Sequence, residues 1–232
     1  MLYIIGLGLS EKGYSKEAYE AIKECKKIYL EGYTVDFPYK IKNLEKEFNE
    51  KIEVLDRDKV EDLSLVKEAK KEDVCLLVYG APLSATTHIT LIQEAKKAKT
   101  KVKIMQGASV FDAIAESGLQ LYKFGKTTSI PKFEAESFGE IIKENLSINA
   151  HTLLLVDIGL DLDKALDKLE NSAKKYGVDI QKIIVCSKLG NKNSKICYGN
   201  LSELKSKKME KPFCIIVPGK MHFVEEEFLK SI

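Results

Sequence analysis

The stretch that decides the fold is Val74–Ile89, VCLLVYGAPLSATTHI. Val74 to Tyr79 is apolar throughout, without the alternation of a strand wetted on one face, and so predicts a strand buried on both faces of a mostly parallel sheet. Gly80-Ala81-Pro82 ends the run. Ser84, Thr86 and Thr87 then offer hydroxyls to the unpaired N–H groups that open a following helix. A small-residue loop between a parallel strand and a helix is where open α/β sheets bind ligands, because small side chains let a ligand reach the backbone.

Outward from this stretch, strand and helix patterns alternate. Leu2–Ile5 reads as the first strand, and Gly6-Leu7-Gly8-Leu9 opens like a dinucleotide fingerprint. Glu11 stands where that fingerprint needs its third glycine, so the two glycines signal a tight turn or close approach to backbone instead. Ser15 is placed to cap a helix whose Ala18, Ala21, Ile22 and Cys25 share a face. A strand at 27–30 follows, then the aromatic-rich loop EGYTVDFPY at 31–39, longer than a plain connection requires. Ile41, Leu44 and Phe48 mark a helix, 52–55 a strand, and Val60, Leu63, Val66 and Ala69 one further helix before the central run. Beyond it, Ile89, Ile92 and Ala95 keep helical spacing and 102–105 reads as a strand. Gly107-Ala108-Ser109-Val110 then repeats the strand-end, small-residue, helix-start arrangement, so that two such loops can face one crevice. The alternation predicts a parallel sheet covered on both faces by right-handed crossovers.

After Gly118-Leu119-Gln120 the sequence changes character, and the subdomain boundary is expected near Gly125, giving an N-terminal α/β subdomain at 1–125 and a C-terminal one at 126–232. The second contains strand patterns at 127–130, 152–157, 182–187, 196–198 and 214–217, with helices at 137–146, 161–176 and 224–230.

Composition excludes several function classes. The chain of 232 residues has 37 basic against 35 acidic side chains, a net charge of +2, so no global field draws it to nucleic acid or membrane. No apolar run approaches the roughly 20 residues of a membrane span. The start MLYIIGLGLS lacks a basic n-region and reads as a strand rather than a signal peptide, which points to the cytosol. Cys25, Cys75, Cys186, Cys197 and Cys214 stand singly in apolar segments and read as reduced core residues. Three histidines without HxxxH spacing argue against a metal centre. Lys205, Lys207, Lys208 and Lys211 cluster in what reads as a solvated loop. His88 and His222 are general-base candidates by residue type.

Several segments together resemble the diphthine synthases, a family within the tetrapyrrole-methylase-like methyltransferases. They are YIIGLGL at the start, APLSATTH at 81–88, GASVFDAIAESGLQLYKFGKTTSIP at 107–131, IIKEN at 141–145, HTLLLVDI at 151–158 and IIVPGKMHFVEEEFL at 215–229. The resemblance implies two α/β subdomains with parallel and mixed sheets, usually as a homodimer, with S-adenosylmethionine (SAM) in the cleft between subdomains. It also implies methyl transfer to the amino nitrogen of a modified histidine on translation elongation factor 2, with S-adenosylhomocysteine as product. Carried over by position, the cofactor contacts fall at Leu9, Ala81, Ser84, Ser109, Val110, Val156, Leu189 and Phe213. No catalytic residue is implied; Asp112, Glu116 and Asp157 lie in matching segments as candidates for binding the acceptor's cationic groups. The family pattern has an aspartate where this chain has Ala81 and a histidine where it has Phe213. Two alternatives follow: a non-catalytic protein that binds elongation factor 2 without SAM, and a methyltransferase acting on a small molecule such as a tetrapyrrole.

Overall fold

A computed structural model describes residues 1–232. The chain divides into two compact units, Met1–Val110 and Phe111–Ile232.

The first unit runs β1 (Leu2–Gly6), α1 (Lys16–Glu24), β2 (Lys27–Glu31), α2 (Ile41–Phe48), β3 (Glu53–Leu55), α3 (Arg57–Glu61), α4 (Ser64–Glu68), β4 (Val74–Val78), α5 (Ile89–Lys97) and β5 (Val102–Met105). All four strand pairings are parallel, in the order β3-β2-β4-β1-β5. The run at 74–78 is the central strand, and each of its residues is buried. Strand residues divide by parity. Tyr3, Ile5, Cys75 and Leu77 pack with Ala18, Ala21 and Ile22 of α1, whereas Leu2, Ile4, Leu76 and Val78 pack with Leu91, Ile92 and Ala95 of α5. Helices therefore cover both faces, which is why these strands are apolar at every position.

Ser15 caps α1 as expected, its hydroxyl accepting from the Ala18 N–H at 3.1 Å. The single helix expected over 60–69 is two short ones. The Asp62 carboxylate accepts the Ser64 N–H at 2.8 Å, and Leu63 takes a left-handed φ of 65°, so local side-chain bonding breaks the helix that the apolar spacing predicts.

The second unit holds α6 (Val110–Ala113, whose first residue closes the first unit), β6 (Thr128–Ile130), α7 (Phe138–Ser147), β7 (Thr152–Val156), α8 (Leu162–Tyr176), β8 (Ile183–Ser187), β9 (Lys195–Gly199), α9 (Leu201–Lys205), β10 (Phe213–Val217) and α10 (Phe223–Lys230). Its sheet runs β6-β7-β10-β8-β9, with β6–β7 parallel and the other pairs antiparallel. Residues of α7, α8 and α9 form one core with Ile130, Leu154, Ile183, Val185, Phe213 and Ile215. Sequence periodicity missed α9, which is one turn long and held by a capping box between Asn200 and Glu203. The boundary expected near Gly125 falls inside this unit. Residues 111–125 pack here because the Gln120 N–H donates to Glu225 and the Phe228 ring lies over Gly118. All five cysteines are free and buried, as their apolar settings predict.

Candidate functional site

In the first unit, β1 and β4 are neighbours, yet their connections depart in opposite directions across the sheet, to β2 and to β5. The helices they lead to lie on opposite faces, so the loops at the carboxyl ends of β1 and β4 flank a topological switch point. There the backbones nearly touch. A Cβ at Gly6 would lie 2.6 Å from the Gly80 carbonyl oxygen, and one at Gly107 would lie 2.6 Å from the Gly8 nitrogen. Gly8 and Gly80 also exchange backbone hydrogen bonds of 2.9 and 3.2 Å. Three strand ends thus meet through glycine alone, and the positive φ of Gly8 and Gly80 (65° and 77°) suits that residue.

The sequence-predicted positions of this unit gather here. Leu9 and Ser109 are buried, while Ala81, Ser84 and Val110 are partly open. The Leu9 carbonyl accepts the Tyr79 hydroxyl at 3.0 Å, and Tyr79 packs against Phe37 and Tyr39 from the long loop after β2. Phe37 and Tyr39 of that loop are thereby accounted for as packing beside the switch point. The hydroxyls after Pro82 behave differently from expectation. Thr86 Oγ1 donates back to the Pro82 carbonyl at 3.0 Å, Thr90 Oγ1 donates to the Thr87 carbonyl, and His88 stands at the N-cap of α5 without a side-chain cap bond. They tighten the turn rather than cap the helix.

In the second unit, Val156, Leu189 and Phe213 lie at one end of the sheet. Val156 ends β7, Phe213 begins β10 opposite Ser187 of β8, and Leu189 follows β8 in a turn where the Lys188 N–H donates to the Pro212 carbonyl. Val156 and Phe213 share the unit's hydrophobic core. Of the acceptor candidates, Asp157 accepts the Lys132 N–H at 3.0 Å and the exposed Glu116 reaches Ser194 at 3.4 Å, whereas Asp112 is exposed on α6. His222 caps α10.

The most resemblance-specific segments of this unit converge on a buried polar knot. Glu225, 1% exposed, accepts from the backbone N–H of Gln120 (2.8 Å) and His222 (2.6 Å), from Lys123 Nζ (2.5 Å) and from His151 Nε2 (3.2 Å). Burial alone would raise this carboxyl, but those four donors hold it down at about 2. The Gly219 N–H donates to His151 Nδ1 at 2.9 Å, which fixes the proton on Nε2, and burial lowers the affinity of His151 for a second proton. Beside the knot, Asn145 takes the Lys126 N–H on its Oδ1 and donates to the Lys126 carbonyl and to Thr152. Sequence reasoning missed Glu225, His151, Lys123 and Asn145 as a set, because they lie up to 102 positions apart.

Comparison with known proteins agrees with this architecture. The family model of tetrapyrrole (corrin/porphyrin) methylases matches residues 1–205. The chain belongs to this family of methyltransferases. Its full-length likeness is to the diphthine synthases. Such an enzyme from Methanocaldococcus jannaschii is 39% identical, across 100% of this chain and 98% of the relative. A probable diphthine methyl ester synthase from Arabidopsis thaliana is 35% identical, across 99% and 97%. A crystal structure of a diphthine synthase, 31% identical, superposes with a TM-score of 0.92 over 99% of this chain and 94% of that one.

Proposed function

We propose that this methyltransferase takes its methyl group from SAM and transfers it to the amino nitrogen of 2-(3-amino-3-carboxypropyl)histidine on translation elongation factor 2, in diphthamide biosynthesis. The observation that carries the reading is the glycine-lined meeting of three strand ends at the switch point, in a chain whose full-length relatives are diphthine synthases. Ser84 and Ser109 stand on the loops that follow β4 and β5, and, outside its own chain neighbours, a Cβ at Gly80 would meet only the Ala108 carbonyl oxygen at 3.8 Å and Ser109 Cα at 3.9 Å. Leu9, Ala81, Ser84, Ser109, Val110, Val156, Leu189 and Phe213 would hold the cofactor. The reading carries with it a cytosolic setting and a homodimer.

SAM supplies an electrophilic methyl on a sulfonium sulfur. The acceptor nitrogen must bring a free lone pair into line with that methyl, so the task of the chain's own residues is positioning and exclusion of water. Alignment of this kind is worth up to about 7–11 kcal/mol in model reactions. With alanine at position 81, no side-chain carboxylate stands there to favour the cofactor's positive groups, and the burden falls on correctly aimed carbonyls.

Calorimetric titration of SAM tests the reading, with Ala81→Asp alongside. Micromolar binding by the unaltered chain supports it, whereas binding by the aspartate variant alone points to the non-catalytic protein. Incubation with the modified elongation factor, followed by mass spectrometry, then reports the product. A base-stable methyl lies on nitrogen, and a base-labile one lies on the carboxylate, as the Arabidopsis relative's name describes.

A further inference from the structure

Glu31, the last residue of β2, and His88, at the start of α5, are each 1% exposed and meet beneath the loop that follows β4. His88 Nε2 faces Glu31 Oε2 across 3.9 Å, and no protein hydrogen bond reaches that nitrogen or either Glu31 oxygen. On its other side the His88 ring places Nδ1 2.9 Å from the Pro82 carbonyl, which also accepts the Thr86 hydroxyl. A carbonyl only accepts, so Nδ1 carries a proton. Were Nε2 bare, its lone pair would point at a buried carboxylate. A proton between the two atoms, on either of them, turns that repulsion into attraction. Tyr33, the other polar group at Glu31, keeps its own proton, since burial and then the charge of Glu31 push its hydroxyl up to about 12; Arg57 lies over the Tyr33 ring.

We propose that Glu31 and His88 are positioning residues of the cofactor loop: the Glu31 carboxyl faces Nε2 and holds the ring plane, so that Nδ1 clamps the Pro82 carbonyl and aims the backbone groups of residues 81–84. A buried acid that orients a histidine which in turn orients a reacting or binding group is a recurring device in enzyme and metal sites. Here the clamp matters more because Ala81 contributes no charge of its own. The inference rests on the SAM reading above for its consequence, and on the first unit's geometry for its existence.

Three variants test it: His88→Asn, whose amide nitrogen can replace Nδ1; His88→Gln, whose amide nitrogen replaces Nε2; and Glu31→Gln. The readouts are the ring-nitrogen NMR spectrum of His88 at neutral pH, amide hydrogen exchange over residues 83–85 without ligand, and SAM titration. The unaltered protein should show an Nδ1–H on His88 protected from solvent exchange, and Glu31→Gln should speed that exchange. His88→Asn should bind SAM within about threefold of the unaltered chain, while His88→Gln weakens it by about tenfold or more and speeds loop exchange. Equal losses in the two histidine variants, or a bare Nδ1 in the unaltered protein, would overturn the proposal. If the unaltered chain binds no SAM, the cofactor reading fails by itself, and the spectrum and loop exchange still decide whether the clamp exists.

Discussion

The two units treat buried polar groups in opposite ways. Around Glu225 every strong acceptor has a donor: two backbone N–H groups, a lysine and a histidine of fixed tautomer. Around Glu31 neither carboxylate oxygen has a hydrogen bond, and the neighbouring Tyr33 hydroxyl lacks one as well. A fully satisfied network is rigid and serves architecture, whereas an incompletely satisfied one stores a capacity to act on a neighbour, here the loop at the switch point. Thus the motif segments of the second unit read as structure, and the plainer β2 terminus of the first unit carries the proposed clamp.

The contrast can be broken most forcefully at Glu225. Glu225→Ala leaves the buried His151 and the half-buried Lys123 without their carboxylate and is expected to cost about 3–5 kcal/mol, measured by denaturant unfolding. Acid should probe the same knot. A carboxyl whose folded value of about 2 lies below its usual 4.5 contributes stability that is complete above 4.5 and is lost as the pH falls through about 2. His151, held neutral by burial, adds a loss that begins as the pH drops below its ordinary 6.5, because the unfolded chain takes up that proton more readily. Unfolding midpoints should therefore fall from weakly acid pH downward, and Glu225→Gln should flatten the fall between 4.5 and about 2. A curve unchanged by that substitution would mean that the knot carries no charge.

A smaller effect on stability, with a larger one on binding, is expected in the first unit. Gly107→Ala would bring a methyl within 2.6 Å of the Gly8 nitrogen and 2.7 Å of the Gly80 oxygen. Forcing those backbones apart should cost about 1–3 kcal/mol and weaken SAM titration by at least tenfold. Smallest of the three is Thr86→Val, which removes one of two donors to the Pro82 carbonyl. A loss of about 0.5–1.5 kcal/mol is expected, and less than tenfold in SAM affinity, since His88 still holds the carbonyl. If Thr86→Val hurts binding as much as His88→Gln, the histidine has no special part in the clamp.

Much of the fold could be read from residue order. The apolar run at 74–78 announced a doubly covered strand because burial on both faces removes the need for alternation. Ser15 announced the first long helix because its hydroxyl satisfies a backbone donor three residues on. The glycine and serine loops were visible as small residues at strand ends, and so was the likeness to methyltransferases. The break at Leu63 was not, because the carboxylate of Asp62 outcompeted an apolar spacing that favoured one helix.

What the sequence by itself determined, then, is local: which segments are strands or helices, which loops are small enough for close backbone approach, and which family the motifs resemble. Only the tertiary structure decided which side chains act together. Glu31 and His88 are 57 positions apart and look like an ordinary strand end and an ordinary helix start. His151 and Glu225, 74 apart, look like unrelated polar residues. Periodicity reports the face on which a residue lies, but hydrogen bonds and charge pairing depend on distances of a few ångströms between elements, and strand order in the folded sheet sets those distances.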